Sequence, residues 1–347
     1  MNMNNSLHKD RGLSLVELMV ALAVGLFLMA GVLQIYLGSR QSFRVQESLS
    51  RLQENGRFAL MFLEQDLRMA DYRGCGTRSA RVPLNNILIP SGDYLWDFVT
   101  GIEGFEAVST SDWDRSPDNN AIPTPLGGSD IVTVRRATGE TFKVVSHASG
   151  TDDVEINSGS TIEAGDVVMV ATCKSAAVFQ VTNSSASGIL EHDSGSDGDA
   201  DTPDNSTSDL GTGYANGDLF LIDTVTYYIR NGNNNRPALF RKVGNDNAQE
   251  LIQDVEDMQI TYGEDTNMDA LVDRYVSADG VANWSNVISV NVNLLLTTPE
   301  DNLTPDGEPQ PYVFNGVNYD GVSGPLPEDN RLRHSFSSTI TLRNRTL

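Results

Sequence analysis

The chain is short of cysteine, of histidine, of positive charge and, over its first 82 residues, of proline. Two cysteines in 347 residues cannot make a disulfide framework or a four-thiolate zinc site. The four histidines, His8, His147, His192 and His334, show no metal-ligand spacing. Lys and Arg number 24 against 47 Asp and Glu, a formal net charge of −23. That deficit excludes a binder that works by neutralising phosphates, which needs a concentrated basic surface. No nucleic-acid partner is expected. Nor is there a nucleophile elbow or a phosphate loop. Gly211, Gly213 and Gly217 miss the dinucleotide spacing, and the acids are too many to single out a catalytic pair. No enzyme is expected.

What is present divides in two. Residues 1–74 carry a net of one positive charge, and all the excess acidity lies in residues 75–347. A polar start with Lys9 and Arg11 leads to Gly12, and from Leu18 to Leu33 no charged or strongly polar side chain occurs. Extended to Leu37, the run has about the twenty residues that a helix needs to cross a bilayer core. The basic residues ahead of it put the amino terminus in the cytoplasm and the acidic remainder outside. A cleaved secretory signal fits poorly, because its apolar region is shorter and ends in a small-residue site. Glu17, at the start of the run, is costly in an apolar setting and reads as functional.

The helical pattern persists beyond Gly38. Val45, Leu49, Leu52, Ala59, Leu63, Leu67 and Ala70 trace one face, with Arg44, Glu47, Arg51, Glu54, Arg57, Glu64 and Arg68 between them. One helix from about Ser14 to about Asp71 would be roughly 85 Å long. Gly25, Gly31, Gly38 and Gly56 are where it could bend. From Tyr72 onward short β-branched runs take over: 130–137, 166–172, 177–182 and 218–229, then 238–243, 257–262, 287–297 and 334–343. Asn231–Asn235 is a hairpin signal. The fold class is α+β, one long helix followed by an antiparallel β-rich head.

Gly12-Leu13-Ser14-Leu15-Val16-Glu17-Leu18 resembles the signal of type IV prepilins and pseudopilins. The resemblance implies that a prepilin peptidase cuts between Gly12 and Leu13 and methylates the new amino group of Leu13, where Phe is usual. It also implies that Glu17 pairs with the amino terminus of a neighbouring subunit during assembly. Arg68–Cys75, Gly165–Val181, Asp254–Gly263 and Thr339–Arg345 are similar to segments of the PilW family of minor pilins. That implies a head similar to the J-type pseudopilins, and a low-abundance subunit that primes and caps a type IV pilus, supporting twitching and adhesion. The implied partners are other minor pilins, the major pilin and a tip adhesin. The alternatives are a minor pseudopilin of type II secretion and, from another class, an anchored exoplasmic adhesin or enzyme.

The organisation expected is therefore a leader over residues 1–12, an apolar half-helix over 13–38, an amphipathic half over 39–73, and a head over 74–347 with an acidic loop at 183–216. The location follows: single-pass in the inner membrane with an exported head, then in the extracellular fibre. Outside the inner membrane Cys75 and Cys173 are expected to bridge, closing a loop of about 98 residues worth about 4–5 kcal/mol; two buried thiols are the alternative. The stretch 193–209, with Asp197, Asp199 and Asp201, reads as a solvated loop. Asp265, Asn267, Asp269, Leu271 and Asp273 match the first part of an EF-hand-like loop, so calcium is the one cofactor for which ligands are in sight. Ala270 in place of Gly and Val276 in place of the bidentate Glu argue for a plain polar hairpin instead.

Overall fold

The structure, a computed structural model, describes residues 14–346 except 75–81, 91–92, 119, 158–160, 184–186, 196–201 and 305–306. Gly12, Leu13, Cys75, Asp197, Asp199 and Asp201 therefore lie outside the described residues. The helix α1 (Leu15–Leu67) has 53 residues, roughly 80 Å at 1.5 Å each. It runs without a break through all four glycines. Gly56 is a contact rather than a hinge: a Cβ there would stand 2.6 Å from the Phe336 ring.

The strands follow as β1 (Leu84–Asn86), β2 (Leu88–Ile89), β3 (Ile102–Phe105), β4 (Ile131–Ser146), β5 (Val154–Ile156), β6 (Val167–Ala171), β7 (Ala176–Gln180), β8 (Ile189–Leu190) and β9 (Asp204–Asn205). Then come β10 (Asp218–Asn231), β11 (Pro237–Val243), β12 (Gln249–Gln253), β13 (Val255–Glu264), β14 (Arg274–Val276), β15 (Val287–Thr297), β16 (Tyr312–Phe314), β17 (Val317–Tyr319), β18 (Arg333–Thr341) and the last turn α2 (Arg343–Thr346). Each run read as a strand is one. A first sheet has the order β1-β7-β6-β10-β4-β5-β8, with β3 on β4 and β11 then β12 on β10; a second has β14-β13-β15-β18. Pairing is antiparallel except that β1 joins β7 in parallel.

Why these runs are strands shows in their burial. In β15, Val290, Val292, Leu294 and Leu296 are buried while Asn291 and Asn293 between them are half-buried, a period of two with one face inward. In β10 both faces are covered: Val225, Tyr227 and Ile229 join the core under α1, and Tyr228 joins a separate cluster. Leu52, Ala59, Leu63 and Leu67 of α1 are buried among residues of both sheets. The second half of the helix is thus part of the head's main core. From Leu15 to Arg40 its side chains are exposed, Phe27 by 83%.

A seam of acids joins the two sheets. Asp130, just before β4, accepts the Ala107 amide at 2.9 Å and the Ile260 amide of β13 at 2.7 Å. Asp257 accepts the Ser129 hydroxyl at 2.8 Å, and Glu106 accepts the Ala278 amide at 3.2 Å. Burial pushes the Asp130 carboxyl up to about 8, with the nearby Glu106 adding to it. Burial also raises Glu106 and Asp257. A carboxyl raised on folding contributes full stability below its unfolded value of 3.8, and loses it as pH climbs through its folded value. The head should therefore lose stability between about pH 4 and about pH 8. Urea midpoints that rise across that window would contradict this.

Candidate functional site

The functional elements lie at the two ends of α1. At the start, Ser14 is the N-cap: its hydroxyl accepts the Glu17 amide at 3.2 Å, and Glu17 Oε2 accepts the Ser14 amide at 3.2 Å. This capping box satisfies two of the amides that a helix start leaves without partners. It also holds the carboxylate over the positive end of the helix dipole. Glu17 and every side chain from Leu15 to Arg40 are exposed. The carboxylate is therefore reachable by a cation from another molecule, at the head of a bare apolar rod.

At the far end the helix is locked. Asp66 is buried, with its Oδ1 3.1 Å from Arg136 Nε of β4 and its Oδ2 2.9 Å from Arg241 Nε of β11. The Tyr227 hydroxyl of β10 donates to Oδ2 at 2.7 Å. Burial, with Asp66 beside it, raises the Tyr227 phenol well above its ordinary value, so it stays a donor. One turn on, Ala70 bridges to Arg136 in β4, and the chain turns through Asp71 at φ +57°. The carboxyl terminus closes over this turn: Arg345 Nε lies 3.0 Å from Asp71 Oδ2, and Asn344 donates to the Ala70 carbonyl at 2.9 Å. Further down, Arg44 pairs with Glu300 at 2.9 Å.

Asp66, Arg136, Tyr227, Arg241 and Arg345 were not singled out from the sequence, although a signal existed. Asp66 falls on the stripe of Ala59, Leu63, Leu67 and Ala70, and an acid on an apolar face announces a buried partner. The two segments Arg68–Cys75 and Thr339–Arg345 turn out to meet, at Asp71 and Arg345. The structure also brings together His147 and His192, with rings 5.9 Å apart. His147 Nδ1 accepts the Tyr214 amide at 3.0 Å and His192 Nε2 meets the Asp152 carbonyl at 2.8 Å. Burial lowers His147. The pair is a packed corner of the second core cluster around Phe179.

Of the remaining expected site residues, Cys173 follows β6, and no free cysteine stands among the described residues. Gly74, next to Cys75, lies against β6: a Cβ on it would stand 3.1 Å from Ala171 Cβ. In the 265–273 loop, Asp265 is buried and spends its oxygens on the amides of Met268 at 2.6 Å and Ala270 at 2.7 Å. Asp269 accepts the Leu271 amide at 2.8 Å, and Asp273 accepts the Thr266 amide at 2.7 Å. Asn267 donates to Asp269 at 3.2 Å. These are turns closed by side chains on the loop's own backbone. Among the described residues no cluster of three or more His, Cys, Asp or Glu is placed to hold a metal ion.

Residues 226–344 match the family model described as Type IV Pilus-assembly protein W, and residues 7–33 match the prokaryotic N-terminal methylation motif. These matches agree with the resemblance in the sequence: residues 226–344 are similar to PilW-family minor pilins, and the start of the chain to prepilin signals. The PilW match begins one residue before Tyr227 and ends at Asn344, so Tyr227, Arg241 and Asn344 of the helix joint fall inside it. Arg68–Cys75 and Gly165–Val181, which resemble the family in sequence, fall outside it. No curated protein matches the chain. A solved type IV-like pilin from Thermus thermophilus superposes with a TM-score of 0.30 at 12% identity, over 86% of this chain and 99% of that one. The joint at Asp66 is where charged groups fix the helix to the head. Asp66→Asn would leave Arg136 and Arg241 without their buried counter-charge, which costs about 3–5 kcal/mol for such pairs. A urea titration of the full chain in detergent should show a clearly lowered midpoint for that variant. An unchanged midpoint would remove the joint's importance.

Proposed function

We propose that this chain is a minor subunit of a type IV pilus, cut between Gly12 and Leu13 and methylated at Leu13. It waits in the inner membrane with its head exported, then moves into the fibre, at or near the tip. There it helps prime assembly together with other minor pilins and the major pilin, and so supports twitching and adhesion. The observation that carries this reading is the uncovered apolar rod with Glu17 at its start and the head fixed to its other end.

The chemistry at Glu17 follows from that arrangement. Cleavage frees a cationic amine within an apolar setting, where an unpaired charge is costly. A carboxylate on the next subunit neutralises it, and because both groups occupy fixed places on a helix, the pair sets the stagger between subunits. Until then Glu17 is occupied by its own cap, a bond to neutral groups that an ammonium can displace. Glu17→Ala should be cleaved normally and yet stay out of fibres, with pilus number and twitching falling as in a deletion strain. Normal incorporation of the variant would sink this role. A deletion that spares pili and blocks enzyme export would instead identify a pseudopilin of type II secretion.

Two further elements belong to the proposal. A Cys75–Cys173 bridge would tie the helix end to β6, as the approach of Gly74 to Ala171 favours. A non-reducing digest of the exported protein should contain the linked peptide, and free alkylated thiols would contradict it. Calcium at Asp265, Asn267, Asp269, Leu271 and Asp273 would have to draw Asp265 off its amides. Calorimetry decides it: no heat at millimolar calcium ends the idea.

A further inference from the structure

The first sheet has a concavity on the face turned away from α1. Side chains alternate along β10 and β11, so Tyr227 and Arg241 reach the helix while their neighbours take the other face. The register puts Tyr228 opposite Phe240, with Arg230 and Lys242 on that same face. The Tyr228 and Phe240 rings stack at 6.1 Å, over a small core with Leu95, Ala121 and Ile122. Beside this floor opens a cleft of about 710 Å³, walled by residues around 93–96, by Asp118, by 120–123 and by 245–248.

Its chemistry is mixed and held in place. Arg230 lies over the Phe240 ring at 4.5 Å, which fixes the plane of its donor fork. Lys242 is 6% exposed and gives one N–H to the Gly244 carbonyl at 2.6 Å, with two more to offer. Asp93 and Asp118 each turn Oδ1 back to loop amides, at Leu95 and at Asn120 and Ala121, and among the described residues their second oxygens make no hydrogen bond. Asp246 makes no side-chain hydrogen bond among the described residues. Trp96 lines the same space.

Three carboxylates against two cations disfavour a phosphate or any multiply charged ligand, and so polar a lining disfavours a lipid. Fixed carboxylates and a guanidinium fork bind adjacent hydroxyls two at a time, and an indole covers a sugar ring's C–H face. We infer that this cleft is a binding site for an uncharged saccharide. It lies opposite the helix, so packing of helices in a fibre would leave it open. The site itself does not depend on the fibre reading.

The test uses the full-length protein in a perdeuterated phosphocholine detergent, whose headgroup carries no sugar ring. Glucose, galactose, N-acetylglucosamine and N-acetyllactosamine are added in turn, and saturation transfer from protein to sugar protons is recorded. Transfer to at least one of them at millimolar concentration is expected. It should fall by about tenfold or more in Arg230→Ala and in Asp246→Ala, as loss of a charged hydrogen bond implies. Circular dichroism should show both variants melting as the parent does; if Arg230→Ala does not, the exposed Asp246→Ala alone decides. Transfer to none of the sugars, or transfer undiminished in the folded variants, overturns the site.

Discussion

A carboxylate buried at the end of a long helix, Asp66, holds two guanidiniums and a phenol that belong to three different strands of the head. The rest of the architecture depends on this contact. A helix of this length with one face apolar has no reason of its own to stop being a separate rod. Apolar packing alone would let it slide or roll on the sheets, because that force is not directional. Charged groups with fixed geometry give the register. The Asp71–Arg345 pair adds a second fixed point, and uses the last residues of the chain to do it.

The helix consequently lives in two solvents. From Leu52 to Leu67 it is core, packed against both sheets; from Leu15 to Arg40 it is bare. An apolar surface of that size is stable only in a bilayer or among other apolar helices. Passing from one to the other exchanges like for like, as the proposed move from membrane to fibre would require. Glu17 is the one carboxylate in the bare segment, and it stands at the start of the apolar run. Under the proposed function it is where assembly is specified.

Much of the fold was legible in the sequence, and for physical reasons. The apolar run and the Leu52–Ala59–Leu63–Leu67 stripe announce a helix by period, and the β-branched runs at 218–229 and 287–297 announce strands by composition. Ser14 and Glu17 three residues apart also spell a capping box, a signal that the prepilin resemblance and the assembly role of Glu17 overshadowed. What could not be read was long-range polar pairing. Nothing local to Asp66, Arg136 and Arg241 says that they meet, since their partners lie up to 175 residues apart. Likewise β4 extends nine residues past Ala137, through Gly139 and a polar stretch that looks like a turn until β10 is beside it. In the 265–273 loop the sequence suggested a cation, whereas the structure spends the same oxygens on local amides; one chemistry serves both, and spacing alone does not separate them.

The central claim is that the second half of the helix is one cooperative unit with the head. Amide hydrogen exchange of the full chain in detergent tests it most directly. The account predicts that amides from Leu52 to Leu67 exchange only when the whole head unfolds, at the same rate as β15. If those amides exchange as a fraying helix does while β15 stays protected, the helix is merely leaning on the head and the account is wrong.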